Sequence, residues 1–586
     1  MLGGLTRCPG AEAPGAQYSV ATTAVRRASA RALARGSALR QPQGPAPRTW
    51  VLAAPAVAPA APLPSTAADS AAAPHLPWAS GEEQQPEAWV PPRNRPGLYD
   101  SAGRLVLKSL TLPELEAWCA AEGEPAPANR ALQLWRWMYA DPPVATPTEG
   151  WAASLQETAG RQNGFSAKFI EKASPRMTLA GGLELKQVVS AADGTRKLVF
   201  TLTEGEAKGG SVETVLIPVV RQAGLRDRLT ICVSSQVGCA MNCQFCFTGR
   251  MGLLGSLSAA QIVEQVVAAR RFLAAEGDRT PLTNLVFMGM GEPLHNTEAV
   301  LTAAEIMNHH LGLHLSYNKI TISTVGLVPE MRQVAARSRV QMALSLHATT
   351  DEVRDWIVPV NRRYDLATLT AALEEIFPRK EGPRTPPAPT HAPADCAEPS
   401  ASSPSASSTS APSTSSAAGE PQRWLPPLER LAPAPSTSPS SPPSTSAAAS
   451  STPSTAAGPG PVGGWEPGSG GRSLLVEYTM LYGVNDTQED ARRLASMLSR
   501  VNCKVNLICF NPHAGTRFRP STDEAICAFR SVLIQSGLVC TIRDSRGDDE
   551  MAACGQLGAV GLPFRPSPIL EPPERFRPFL LPEAKA

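Results

Sequence analysis

Apolar positions recur with two periods along this chain, and the stretch over which each period holds marks a predicted element. From Leu110, LTLPELEAWCAAEGEPAPANRALQLWRWMYA carries apolar residues at helical spacing and predicts a small domain of two or three helices within 105–175. DGTRKLVFTLTEG, from Asp193, lies between turn residues and predicts a strand or hairpin in a connecting strand region, 176–227. From Arg228 the two periods alternate. LTICVSS, TNLVFMG, NKITIST, VQMALSLHA, LLVEYTML, CKVNLICFNP and LVCTIRDS read as strands. Between them SLSAAQIVEQVVAARRFLA, with Ser258 and Gln261 as a capping box, EAVLTAAEIMNHH, VPEMRQVAARS, TQEDARRLASMLSR and DEAICAFRSVLIQSG read as helices. Roughly six β/α units in series, over 228–380 and 473–562, predict an α/β fold built as a parallel barrel or partial barrel. An open doubly wound sheet would use the same pattern.

The periodicity lapses in two places. Residues 1–95 and 381–472 are rich in Ala, Ser and Pro, with runs such as SASSTSAPSTSS that bury too little apolar surface to offset their ordering entropy. The first reads as targeting and spacer, the second as a disordered insertion between the fourth and fifth barrel strands, and 563–586 as a tail. With 57 prolines and 18% charged residues, the chain's packed part is expected to be much shorter than its 586 residues. Seven arginines from Arg7 to Arg48 against a single acid, Glu12, resemble an organellar transit peptide. Broken by prolines, WVLAAPAVAPAAPLP is too short to span a bilayer, so no membrane partner is expected. The net charge of +2 gives no global basic field, which leaves any RNA contact to local patches. Twelve scattered cysteines suit a reducing compartment better than a disulfide framework.

Candidate chemistry sits at the strand ends, where barrel active sites are assembled. The cysteine-rich CAMNCQFC follows LTICVSS, GMGEPLHN follows TNLVF, STVG ends NKITI, SLHA ends VQMAL and FNP ends CKVNLIC. Cys239, Cys243 and Cys246 are spaced C-x3-C-x2-C. Zinc would need a fourth ligand, for which Cys232 is the candidate. The spacing favours a 4Fe-4S cluster held by three thiolates, with one iron open to S-adenosylmethionine (SAM), the signature of radical SAM chemistry.

Together VETVLIP, CVSSQVGCAMNCQFC, VFMGMGEPLHN, TISTVG, ALSLHA, NLICFNP and RGDDEMAACGQL resemble the radical SAM adenine C2-methyltransferases, which modify large-subunit ribosomal RNA and, in some members, transfer RNA. The resemblance covers about Lys108 to Leu557 apart from the insertion. It implies a partial (β/α)6 TIM-like barrel, a cluster on Cys239, Cys243 and Cys246, and SAM held by Gly291, Glu292, Ser323, Ser345, Leu346, His347 and Asn511. Two SAM molecules would be used per turnover, one to place a methyl group on Cys554 and one as the radical source. Cys232 would release the product by forming a disulfide with Cys554, and Glu213 would accept the proton leaving carbon 2. A ferredoxin or flavodoxin is the implied electron donor. The transit-like start points to a chloroplast ahead of a mitochondrion. Related enzymes that methylate carbon 8 and a zinc-stabilised RNA-binding module without catalysis are the alternatives. The helical domain would grip RNA, and Arg362, Arg363, Arg517 and Arg519 are candidate phosphate contacts. Phe247 stands where many members have serine, and GRMGLLGS after it is less basic than the common pattern.

Overall fold

The structure is a computed structural model that describes residues 90–92, 95–140, 150–220, 226–380, 472–543, 546–553, 555–558 and 566–582. These all fall within Glu83–Ala586. Nearly all of the N-terminal extension, the insertion apart from Arg472, and the predicted methyl carrier Cys554 lie outside the described residues.

Three helices precede the main sheet: α1 (Leu112–Ala121), α2 (Pro127–Tyr139) and α3 (Ala167–Ala173), flanked by a parallel pair of two-residue strands, β1 (Leu105–Val106) and β2 (Met177–Thr178). Thr111 and Glu114 cap α1 reciprocally, and α2 turns Leu134, Trp135, Met138 and Tyr139 into the core. The chain then runs as an antiparallel meander of β3 (Leu183–Ser190), β4 (Arg196–Leu202), β5 (Ser211–Val219) and β6 (Arg228–Cys232). A separate hairpin of β7 (Gln236–Gly238) and β8 (Leu253–Ser256) frames the short α4 (Phe247–Met251).

From β6 onward strand and helix alternate. The order is β6, α5 (Ala259–Ala275), β9 (Leu282–Phe287), α6 (Thr297–Asn308), β10 (Ile320–Thr324), α7 (Val328–Arg337), β11 (Gln341–Ser345), α8 (Asp351–Ile357) with α9 (Leu366–Ile376), β12 (Leu474–Met480), α10 (Gln488–Met497), β13 (Cys503–Cys509), α11 (Asp523–Gln535) and β14 (Val539–Arg543). These are six β/α units followed by a strand without a helix. All pairings from β6 through β9 to β14 are parallel, and the ten-stranded sheet is ordered β14-β13-β12-β11-β10-β9-β6-β5-β4-β3. Covered by helices, these strands read as nearly continuous apolar runs rather than as alternating ones. The predicted capping box of Ser258 with Gln261 starts α5. Lys108, fully buried, ties the helical region to α5 by an ion pair with Glu264.

Distance decides between an open sheet and a barrel. Eight strand spacings separate β14 from β4, about 38 Å if the sheet were flat. Four residues from Arg543 to Gly547 reach at most about 14 Å. Yet Gly547 N donates to Asp193 Oδ2 in the β3–β4 turn at 3.2 Å, and Lys197 Nζ of β4 donates to the carbonyls of Glu550 and Met551 at 2.8 and 3.2 Å. The sheet therefore curls into a partial barrel, with the segment after β14 bridging its open side. Among the described residues no helix is long and apolar enough to cross a membrane.

Candidate active site

The carboxyl ends of the parallel strands open onto a cleft of about 930 Å³, counted to its mouth. Cys239, Cys243 and Cys246 all line it. They sit on the loop between β7 and α4, and the entry to that loop is backbone-limited. Gly238 has φ +73°, and a Cβ there would stand 1.8 Å from the Gly252 carbonyl, so no other residue makes this turn unstrained. Burial pushes all three thiols up, so in an apolar wall they are held protonated unless a cation joins them. Iron is such a cation, and three soft sulfur donors are the set that an iron-sulfur cluster takes. Among the described residues no group of three or more His, Cys, Asp or Glu side chains is close enough to hold a single metal ion.

Six of the residues implied to hold SAM line the same cleft: Gly291, Glu292, Ser323, Ser345, His347 and Asn511. Gly291 has φ +96° and lies against Gln236, whose Cβ would be 2.5 Å from an added Cβ. The carboxylate of Glu292 accepts from Leu294 N at 3.1 Å and Val325 N at 3.0 Å, fastening the β9 loop to the end of β10. Burial, only partly opposed by these bonds, raises its pKa to about 7. Ser323 Oγ lies 3.4 Å from Ser345 Oγ across the β10–β11 pair. His347 is held at φ +60°. Its Nδ1 accepts from Thr479 N at 3.0 Å, which assigns the proton to Nε2, and burial followed by the nearby Arg354 cation lowers its pKa to about 3. The ring is thus a neutral donor. Leu346 is not brought into the cleft. Its side chain is buried in the core, while its N–H donates to the Glu477 carbonyl at 3.1 Å and its carbonyl accepts from Arg354 Nε at 3.0 Å.

Beside this cleft a second cavity is lined by Cys232, Val215, Met288, Asn511, Arg543, Arg546, Ala552, Ala553 and Leu557, among others. Its geometry follows from antiparallel pairing. Val215 of β5 stands opposite Cys232, the last residue of β6. Two residues earlier on β5, and so on the same face, the buried Glu213 stands beyond the last paired residue of β6. Its Oε2 accepts from Gly558 N at 2.9 Å and its Oε1 lies 3.6 Å from Lys197 Nζ. Burial raises the Glu213 pKa, with Lys197 and Gly558 pulling the other way. Of the predicted relay positions, Cys232 shares its cavity with Ala552, Ala553 and Leu557, and Glu213 accepts from Gly558; Cys554 lies outside the described residues.

That stretch is also stapled to the cysteine loop. Phe247 N donates to the Gly555 carbonyl at 2.8 Å, and Thr248 Oγ1 donates to the Leu557 carbonyl. Gln556 Nε2 donates to the Pro512 carbonyl at 2.9 Å. Phe247, the departure from the family's serine, sets its ring edge-on to His513 at 5.5 Å.

Four residues of the site were not legible as such. Glu477 on β12 is buried in the cleft wall, 3.4 Å from both Ser323 Oγ and Arg543 Nη1. A lone acid inside the apolar run LLVEYTML was its signal. Arg354, wholly buried, donates to the carbonyls of Leu346 and Val325 and to Asn361, and burial lowers its pKa to about 10. Its neighbours in the sequence carry no motif that marks it. Lys197 had no motif. Cys509, at the end of β13, also lines the cleft. Of the candidate phosphate contacts, Arg363 lies over the Tyr364 ring and the Arg517 and Arg519 carbonyls accept backbone bonds from Leu581 and Tyr482.

Comparison with known proteins identifies the family. Residues 233–379 match the Radical SAM superfamily. The dual-specificity RNA methyltransferase RlmN of Geotalea uraniireducens is 34% identical over 451 residues, covering 77% of this chain and 96% of that protein. RlmN of Pelobacter propionicus is 36% identical over 452 residues, covering 77% and 95%. A crystal structure of a radical SAM methyltransferase from Sphaerobacter thermophilus superposes with a TM-score of 0.54 at 31% identity, covering 77% of this chain and 98% of that one. With similarity of this extent, and with a cleft that gathers three thiols at the mouth of a partial barrel, the chain belongs to the RlmN family of radical SAM RNA methyltransferases, whose cofactors are a 4Fe-4S cluster and SAM.

Proposed function

We propose that this enzyme methylates carbon 2 of an adenine in large-subunit rRNA, with tRNA as a second substrate class, through a methyl group carried on Cys554. The observation that carries the reading is that residues on both sides of position 554 are held beside the cleft of three thiols, Ala552 and Ala553 at the cavity of Cys232 and Gly558 on Glu213. Cys239, Cys243 and Cys246 would hold the cluster, and Gly291, Glu292, Ser323, Ser345, His347 and Asn511 would hold SAM. When bound, these cofactors supply one-electron cleavage of SAM to a carbon radical, the chemistry that an electron-poor ring carbon requires.

The protein's own groups do the rest. His347 offers an Nε2–H into the cleft, and the buried Arg354 lies behind the thiol of Cys243 as a fixed cation. Glu213, with its pKa raised by burial, would be a stronger base than an exposed carboxylate for removing the proton from carbon 2. Cys232, at the same cavity as Ala553, is suited to form the disulfide with Cys554 that frees the product. An adenine inside a helix must unstack to reach this mouth, which costs least for an unpaired nucleotide. The Arg-rich start supports import into a plastid, with the mitochondrion as the alternative; the cluster requires an external electron donor of the ferredoxin or flavodoxin kind.

Incubating the reconstituted protein with rRNA or tRNA and labelled SAM, then digesting to nucleosides, tests this directly. Mass spectrometry is expected to find 2-methyladenosine. Label in 8-methyladenosine, or in neither, overturns the assignment.

A further inference from the structure

The C-terminal segment 566–582 lies against the loop that carries the three clustered cysteines. Asn242 stands between Cys239 and Cys243, and Gln244 between Cys243 and Cys246. Asn242 Nδ2 donates to the Pro568 carbonyl at 3.0 Å. Gln244 uses both ends of its amide: Nε2 donates to the Asn242 carbonyl at 2.8 Å, and Oε1 accepts from Leu570 N at 2.9 Å. Just beyond the loop, Ser567 N donates to the Arg250 carbonyl at 3.1 Å. Backbone polar groups of the segment are thus satisfied by the residues that alternate with the cysteines.

The rest of the segment is anchored in apolar contacts that reach the same place. Phe576 and Leu580 are buried in one cluster with Cys243, Phe245, Trp356 and Phe518. Phe576 stacks on Trp356 of α8 with ring centroids 5.7 Å apart. At the far end, Leu581 N donates to the Arg517 carbonyl at 2.7 Å. Phe579 covers Gly483, whose added Cβ would come within 2.4 Å of the ring, so this glycine leaves room for the crossing chain. Because α8 also holds the loop through Gln244 N to the Ile357 carbonyl at 3.0 Å, the segment and α8 grip it from adjoining sides.

We infer that residues 566–582 are a positioning strap, which fixes the cysteine loop in its ligating shape and slows loss of the cluster. The inference rests on the cluster assignment made above. A loop of eight residues from Cys239 to Cys246 has no regular secondary structure before α4, so its conformation depends on external partners. Local opening of such a loop is what exposes iron to chelators and oxygen. The segment belongs to neither the cleft lining nor the second cavity, so its effect on the cluster is indirect.

The test uses full-length protein reconstituted anaerobically, a chain ending at Arg565, and the point variants Phe576→Ala and Phe529→Ala. Phe529 is equally a buried aromatic, but on α11 and outside the cluster around Cys243. Iron release to a ferrous chelator is followed by absorbance, and folding of each apo-protein by thermal melting. Release from the truncated chain and from Phe576→Ala is expected to be roughly tenfold faster than from the full chain, the change that loss of one or two hydrogen bonds' worth of restraint brings. Phe529→Ala, destabilised globally, is expected to release iron at the full-length rate well below its melting temperature. Equal rates for all four proteins, or equal acceleration in Phe529→Ala and Phe576→Ala, overturn the strap. If the full chain takes up no iron and sulfide at all, the cluster assignment fails and the strap falls with it.

Discussion

Cys232→Ala is expected to leave RNA joined to the protein through residue 554, with multiple turnover lost. Once the carbon carried on Cys554 has bonded to the base, release requires a second sulfur. In the proposed relay the Cys232 thiolate would attack the thioether sulfur: the S–S bond forms, the C–S bond breaks, and its electron pair stays with the carbon now bonded to the base, which takes up a proton to become the methyl group. With no thiol at 232 that bond persists. Cys232 is suited to the step because it closes β6 at the wall of the cavity shared with Ala552 and Ala553. A denaturing gel of labelled RNA is expected to show a protein-linked band in the variant alone, and digestion should place the adduct on the peptide containing Cys554. Free methylated RNA at the normal yield would remove Cys232 from the relay.

Glu213→Gln has the second large effect, a fall in turnover of about 10²–10⁴, the usual worth of a positioned general base. Glutamine keeps the acceptor oxygen for Gly558 N, so the loop's anchor survives while the proton acceptor is lost. The pH dependence separates the two roles. Burial raises the Glu213 pKa above the ordinary carboxylate range, and a base must be ionised to act, so turnover should fall as pH drops through that raised value. Lys197, 3.6 Å away, opposes the rise. Lys197→Met should therefore move the acid limb to higher pH, whereas a purely structural loss would lower the whole profile without shifting it. An acid limb unmoved in Lys197→Met would exclude Glu213 as the group that titrates.

Much of the fold was legible because its strands are short apolar runs separated by helices with strong start signals. Ser258 with Gln261, and Thr487 with Asp490, cap their helices reciprocally. The curl of the sheet was not legible, since it depends on where residues after β14 land. Asp193 and Gly547 are 354 residues apart in the chain, and no local pattern links them. Candidate site residues were legible where chemistry is concentrated in a motif, as in the cysteine loop or GMGEP. They were missed where a single residue acts through burial. Glu477 sits in a strand and Arg354 in a helix, each with an ordinary local sequence, and only the packing around them removes water. Leu346 illustrates the converse. The motif SLH names three consecutive residues, but Ser345 and His347 line the cleft while Leu346 is buried in the core, because the chain turns just past β11 with His347 at φ +60°.

Spectroscopy of the anaerobically reconstituted protein, with and without SAM, tests the central claim most directly. Three protein thiolates leave one iron of a cubane unligated, so an electron paramagnetic resonance spectrum of the reduced cluster should appear and should change when SAM is added. Metal analysis should give four irons and four sulfides per chain, falling in Cys239→Ala. A colourless protein with one zinc, or a cubane whose spectrum ignores SAM, would contradict the account.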